Sequence, residues 1–296
     1  MRILHFSDPH FSFSLNELKL SHWFGKRAAG ALNLLAGRGK VFEQAQGKLL
    51  ALQDFIETQN IDLLLCSGDY TALGLESELQ RAAKLIEPLS RLAPLGLITV
   101  AGNHDLYTRD TVQHGYFERY FGFALSSDLP EYRADGVWPL VRLFDDRIAV
   151  IAVNSSKPNP LPWHSDGAIP QIQLEAMRRI LQDPRVKNRF VFAMTHYAPR
   201  LHDGQPDRPM HGLRNADDYL EACSAIQRGA LLCGHVHYAY RTPLEHLNAD
   251  LFCAGSLTKQ GHEGFWLFDV SAKTFTAQLG EFDPVSRQYR LQASSG

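Results

Sequence analysis

The sequence predicts an α/β protein in which two mixed sheets pack face to face with helices outside, a four-layer α-β-β-α sandwich. Three observations lead there. Strand-like and helical patterns alternate through residues 2–100. Strand-like runs then dominate from residue 140 onward. Short patches rich in Asp, Asn and His stand where strands run out: SDPH at 7–10, GDY at 68–70, GNHD at 102–105, TH at 195–196 and GHVH at 234–237.

Arg2–Ser7 reads as a short apolar strand that delivers Asp8 and His10, two residues apart and so able to face one side in extended backbone. Lys48–Thr58 carries Leu49, Leu52, Phe55 and Ile56 at helical spacing, and Ile61–Ser67 has the length of a buried strand presenting Asp69. Residues 76–92 read as a helix in which Glu76, Glu78, Arg81 and Lys84 interrupt apolar positions. Leu97–Val100 then leads into Gly102, Asn103, His104 and Asp105. Leu140–Phe144 and Ile148–Asn154 flank Asp145-Asp146-Arg147 and predict a hairpin. Pro158, Pro160 and Pro162 impose an irregular loop before a helix near Ala168–Gln182, with Asp166 as its expected cap and Pro170 in its first turn. Phe190–Thr195 ends at His196 and Ala230–Cys233 ends at His235, after which Leu251–Ala254, Gly264–Val270 and Thr274–Leu279 complete the strands. One domain is expected over residues 1–285, with an inserted cap at 11–42 and a peripheral C-terminal tail at 286–296.

At 296 residues the chain is long enough for a sizeable core, and 45% hydrophobic with 21% charged residues is ordinary globular composition. A net charge of -2 does not fit a protein whose main partner is duplex nucleic acid. Cys66, Cys223, Cys233 and Cys253 show no Cys-x-x-Cys spacing and read as buried thiols of a reducing compartment. Met1 leads directly into a strand with no signal-peptide pattern, and no apolar run reaches spanning length. A cytoplasmic location is the expectation, with peripheral contact to the inner membrane face left open.

Asp8, His10, Asp69, Asn103, His196, His235 and His237 supply seven oxygen- or nitrogen-bearing side chains, too many for one closed zinc site but suited to two ions sharing a carboxylate. Asp69 is the expected bridge, offering both oxygens at the midpoint, because apart from Asp105 it is the sole carboxylate of the central patches. Asp8, His10 and His237 would complete one ion, and Asn103, His196 and His235 the other. Imidazole-rich coordination favours manganese, iron or zinc over magnesium. Two such ions roughly 3.5–4 Å apart lower the pKa of a shared water and create a hydroxide nucleophile for phosphorus. His104 is the expected catalytic imidazole, donating to the leaving group or stabilising phosphoryl charge. Asp105 would accept from the other nitrogen of His104 and fix its tautomer, its alternative role being a helix cap. His5 reads as a structural histidine, His202 and His211 as members of a rim loop, and Arg200 as a candidate phosphate contact.

Taken in order, the five patches resemble the signature of the calcineurin-like metallophosphoesterases, and the resemblance spans Met1–Ser256. It implies a two-sheet sandwich flanked by helices, metals held at the seven positions named above, and phosphoryl transfer assisted by His104. Pro9 and Tyr70 depart from the commonest residues of the pattern and leave the ligand types intact. Within residues 11–42, apolar Leu15, Leu18, Leu20, Trp23 and Phe24 interleave with basic Lys19, Lys26, Arg27, Arg38 and Lys40. That pattern suits a helical cap, a cap touching lipid headgroups, or an oligomer interface. Trp23 and Phe24 are candidates to line the substrate entrance. The stretch HWFGKRAAGALNLLAGR resembles a segment of UDP-2,3-diacylglucosamine hydrolases, which implies cleavage of a nucleotide-linked lipid to UMP and lipid X. The alternatives are a 3′,5′-cyclic-nucleotide phosphodiesterase acting on a phosphorylated small molecule, and a non-catalytic metal-binding protein.

Overall fold

The computed structural model describes residues 1–11, 18, 25–36, 42, 44–272 and 274–292. In chain order the strands are β1 (Arg2–Phe6), β2 (Leu63–Cys66), β3 (Leu97–Thr99), β4 (Leu140–Phe144), β5 (Ile148–Ala152) and β6 (Phe190–Met194). They continue as β7 (Gly229–Cys233), β8 (Tyr240–Thr242), β9 (Ala249–Cys253), β10 (Phe265–Val270), β11 (Phe275–Asp283) and β12 (Gln288–Leu291). The principal helices are α1 (Lys26–Leu35), α2 (Ala45–Gln59), α3 (Glu76–Leu92), α4 (Arg109–Gln113), α5 (Tyr116–Phe121), α6 (Gln171–Gln182) and α7 (Ala216–Ala222).

Two six-stranded sheets result, ordered β12-β11-β10-β1-β2-β3 and β4-β5-β6-β7-β9-β8. Helix crossovers make β1, β2 and β3 parallel, as they do β5, β6 and β7. The remaining strands pair antiparallel except β9, which lies parallel to β7, so both sheets are mixed as expected.

Alternation along the strands explains the layering. On β5 and β6, Ile148, Val150, Ala152, Phe190, Phe192 and Met194 join the core between the sheets, while Ala149, Ile151, Val191 and Ala193 join a second core with α6 and α7. On β10, Phe268 meets Phe192 and Phe252 of the second sheet at ring separations of 5.3 and 5.1 Å, whereas Phe265 turns to Phe55 of α2 at 4.8 Å. Each sheet is thus apolar on both faces, and burying both faces requires four layers. The sheets meet at one end, where Ser7 bridges Ser256 and the Leu257 N–H donates to Ser7 O at 2.8 Å. All four cysteines are buried and unpaired, and burial pushes the Cys66 thiol up to about 12.

Three expectations need correction. Helix α6 starts at Gln171 with Pro170 outside its first turn, and Asp166 does not cap it: its carboxylate pairs with Lys157 at 2.8 Å and Arg214 at 3.0 Å. The C-terminal segment is no peripheral tail through residue 291, because β12 extends the first sheet and Tyr289 is buried, its hydroxyl donating to Leu257 O at 2.5 Å. A four-residue edge strand is too short to announce itself by periodicity. The three-residue β8 escaped notice for the same reason. Trp23 and Phe24 lie outside the described residues, and α1 occupies Lys26–Leu35 of the inserted segment.

Candidate metal centre

The predicted ligands stand at the C-terminal ends of parallel strands from both sheets: Asp8 and His10 after β1, Asp69 after β2, Asn103 after β3, His196 after β6, and His235 and His237 after β7. They reach one another through left-handed backbone. Asp8 (φ 51°), His10 (30°), Asp69 (63°), His235 (72°) and His237 (63°) are five of the eight non-glycine residues with positive φ among those described. Asp8 and His10 therefore share a side by a tight turn, which corrects the extended geometry expected from their spacing. Such conformations cost about 1–3 kcal/mol each and persist where the surroundings over-determine them. Two glycines allow the close approach: a Cβ added at Gly102 would overlap Asp69 Oδ1, and one at Gly234 would overlap Ser7 Oγ and lie 2.6 Å from Asp8 Oδ2.

One cluster joins Asp8 Oδ1 to His237 Nε2 at 3.1 Å and His10 Nε2 at 3.6 Å, the two imidazole nitrogens being 3.1 Å apart. The other places Asn103 Oδ1 3.1 Å from His196 Nε2 and 2.9 Å from His235 Nδ1. Asp69 Oδ2 lies between them, 3.8 Å from His10 Nε2 and 3.6 Å from His196 Nε2. One oxygen of Asp69 therefore stands between the two clusters. Both oxygens were expected at the midpoint; Asp69 Oδ1 instead accepts the His104 backbone N–H at 2.8 Å, and Oδ2 is the oxygen that would be shared by two ions.

The donor chemistry fits two cations. His10 Nδ1 faces Thr71 O at 3.1 Å, His196 Nδ1 faces Ser67 O at 2.7 Å, and His235 Nε2 faces His211 O at 3.0 Å. Carbonyls only accept, so each of these nitrogens carries the proton and the inward nitrogen presents a lone pair. Burial pushes His237 down to about 4 and His235 well below its ordinary value, which keeps both rings neutral. Lone pairs therefore converge on carboxylate and amide oxygens. Asp8 Oδ1 is buried and receives no hydrogen bond, and burial raises Asp69, with Asp8 and Asp105 adding repulsion against the pull of His10. Cations shared by the two clusters would satisfy all of these groups at once.

His104 and Asp105 are placed differently from each other. The His104 ring lies edge-on to His10 at 5.3 Å, beside the first cluster, and its Nδ1 faces Ala72 O at 2.6 Å. Asp105 is not the partner of that ring. Its Oδ1 accepts the N–H groups of Tyr70 and Thr71 at 2.9 and 3.1 Å, and its Oδ2 those of Asp69 and Gly102 at 2.8 and 2.9 Å. A wholly buried carboxylate whose oxygens each take two backbone donors is a clamp on the loop that carries Asp69, and Ala72 O sets the His104 tautomer in its place. Glu78 is a positioning residue the sequence reading missed. Its buried carboxylate accepts from Ala72, Leu73 and Leu75 N–H at 3.0–3.1 Å, holding the segment that holds His104. A glutamate three residues into a helix was the available signal.

The calcineurin-like phosphoesterase family matches residues 1–239 of the chain. The chain belongs to that family. In structure this phosphoesterase is similar to a dimetal phosphatase from Danio rerio, with a TM-score of 0.67 at 12% identity, covering 100% of this chain and 99% of that one. It is also similar to purple acid phosphatase PPD1 from yellow lupin (Lupinus luteus) seeds, with a TM-score of 0.58 at 14% identity, covering 98% of this chain and 52% of that one. GAP50, the anchor in the inner membrane complex of Plasmodium, shares the fold at a TM-score of 0.53 and 10% identity, covering 95% and 84%. No curated protein matches in sequence. At these identities the likeness concerns the fold, and the family match concerns the chemistry.

Around the centre of the phosphoesterase, the remaining predicted residues divide. Arg200 is not brought to the metal ligands: its guanidinium pairs with Asp217 and donates to Pro199 O at 2.8 Å. His211 sits over His235 at a ring separation of 4.3 Å, with Asp207 Oδ2 2.5 Å from its Nδ1. His5 is structural, bonded to Ser67 Oγ at 2.5 Å between β1 and β2. No described helix is long and apolar enough to cross a membrane.

Proposed function

We propose that the protein hydrolyses a phosphodiester or pyrophosphate bond at a dinuclear transition-metal centre. The observation that carries this reading is the single oxygen, Asp69 Oδ2, set between two nitrogen-rich ligand clusters with His104 beside the first. Asp8, His10 and His237 would hold one ion, Asn103, His196 and His235 the other. Four imidazoles among seven ligands favour manganese, iron or zinc over magnesium. When bound, the ions supply Lewis acidity and a water of lowered pKa.

The chain's own residues do the rest. Asp105 holds the Asp69–Thr71 turn and Glu78 the 72–75 segment that orients His104, so these groups need no rearrangement as charge develops on phosphorus. His104, its Nδ1 proton committed to Ala72 O, is assigned to protonate the leaving oxygen as the P–O bond breaks. The finer reading is cleavage of UDP-2,3-diacylglucosamine to UMP and lipid X, on or near the inner membrane face. Supporting it are the resemblance carried by residues 22–38 and the position of α1, whose Ala31 packs with Leu73 and Tyr107 next to the centre.

The test is mass-resolved product analysis of manganese-reconstituted protein given UDP-2,3-diacylglucosamine or 3′,5′-cyclic AMP, with Asp69→Ala as the blank. UMP plus the acylated sugar 1-phosphate is expected. Formation of 5′-AMP alone would sink the lipid reading in favour of a cyclic-nucleotide phosphodiesterase, and a metal-loaded protein that hydrolyses neither would favour a binding role. His104→Ala should keep its metal and lose turnover by about 100- to 10,000-fold.

A further inference from the structure

We propose that Lys26, delivered by the inserted helix α1, binds a phosphoryl oxygen of the substrate beside His104. The proposal deepens the phosphoesterase reading and rests on it. Lys26 is 8% exposed, and lysines are rarely buried without a partner. Its ammonium lies 4.3 Å above the Tyr107 ring, and among the described residues no carboxylate lies within ion-pair distance of it. A cation over an aromatic face gains about 0.5–2 kcal/mol, less than the several kcal/mol that desolvating a charge costs. An anionic ligand would supply the missing counter-charge.

Its neighbours point it at the reaction centre. The Tyr107 ring stacks on His104 at 5.3 Å and 11°, and His104 in turn meets His10. Burial pushes the Lys26 ammonium down to about 8, opposed by attraction to Asp69 and Asp166 and reinforced by repulsion from Lys157. Asp166 already pairs with Lys157, His164 and Arg214, and Asp69 is the bridging ligand. Neither is left to neutralise Lys26.

The adjacent basic residue shows the contrast. Arg27 spends its guanidinium on the protein: Nε donates to Leu73 O, Nη2 to Gly74 O and Thr111 Oγ1, and Nη1 to Asp110 at 2.8 Å. Gly30 brings the helix backbone so close that a Cβ there would lie 2.7 Å from the Tyr107 hydroxyl. Arg27 and Gly30 thus seat α1 on the 72–75 loop, the same loop that orients His104 through Ala72. Lys26 rides on that seat with a compact point charge, the form in which lysine binds phosphate.

The experiment is calorimetric titration of manganese-reconstituted full-length protein with inorganic phosphate, comparing wild type, Lys26→Gln, Lys26→Arg and the exposed-surface control Lys187→Gln. Lys26→Gln should weaken phosphate binding about tenfold, as expected for loss of one charge-assisted hydrogen bond, while Lys26→Arg recovers most of it. Lys187→Gln should match wild type, and metal content and melting temperature should not change. Should Lys26→Gln melt early, Lys26→Met keeps the aliphatic stem without the charge and carries the same expectation. Phosphate affinity unchanged in the folded charge-free variant, or absent from wild type, overturns the assignment. Selective weakening in a protein that hydrolyses no phosphoester upholds Lys26 as an anion contact and removes the catalytic reading instead.

Discussion

Asp105 shows how one side chain organises the centre without touching a metal position. Four backbone N–H groups end on its two oxygens, three of them from the Asp69–Thr71 turn, so its carboxylate stands where that turn would otherwise leave donors unpaired. Asp105→Asn would turn an amide NH2 toward two of those donors. In the metal-free protein this should cost about 2–4 kcal/mol, read as a lowered urea midpoint. An unchanged midpoint would remove Asp105 from this role. The ligand types were readable at this scale because coordination demands them, whereas the direction of Asp105 was not. Nothing in GNHD says whether that carboxylate faces forward to His104 or back across 34–36 residues to the turn after β2.

At the scale of elements, strand ends and their glycines set the geometry. Parallel strands release their chains at the same edge, and left-handed residues at Asp8, His10, Asp69, His235 and His237 curl the side chains inward. Gly102 is the tightest of these constraints on the bridge. Gly102→Ala should push Asp69 from its position, leaving a protein with normal far-ultraviolet circular dichroism whose metal content, by plasma emission, falls well short of two ions per chain. Two ions retained would mean the Asp69 loop is more adaptable than its clamps imply. Helices α2 and α3 were readable from their period, since each buries a continuous face, and strands β1, β2, β5 and β6 from short apolar runs buried on both faces. The short β8 and β12 were not, because three or four residues paired at a sheet edge leave little periodic signal.

Across the whole molecule, the centre is a joint between two sheets. β1, β2 and β3 of the first sheet and β6 and β7 of the second each end at candidate ligands, so ions bound there would tie the sheets together only in the native state. Chelation should therefore lower the melting temperature by about 5–10 °C relative to protein held at roughly 100 times the metal dissociation constant. Restoring manganese should reverse the shift, and a melting point indifferent to chelator would argue against a tightly held pair of ions. The sequence by itself determined the layered α/β class and singled out seven candidate ligand residues, because ligand chemistry and periodic burial are local properties of residue type and spacing. Only the tertiary structure decided that Asp69 sets a single oxygen, Oδ2, between the two clusters, that Ala72 rather than Asp105 orients His104, and that Arg27 is bonded to the 73–74 carbonyls while Lys26 stands over Tyr107. Those outcomes depend on which backbone groups distant segments bring within hydrogen-bonding range, and no spacing within a single segment encodes that.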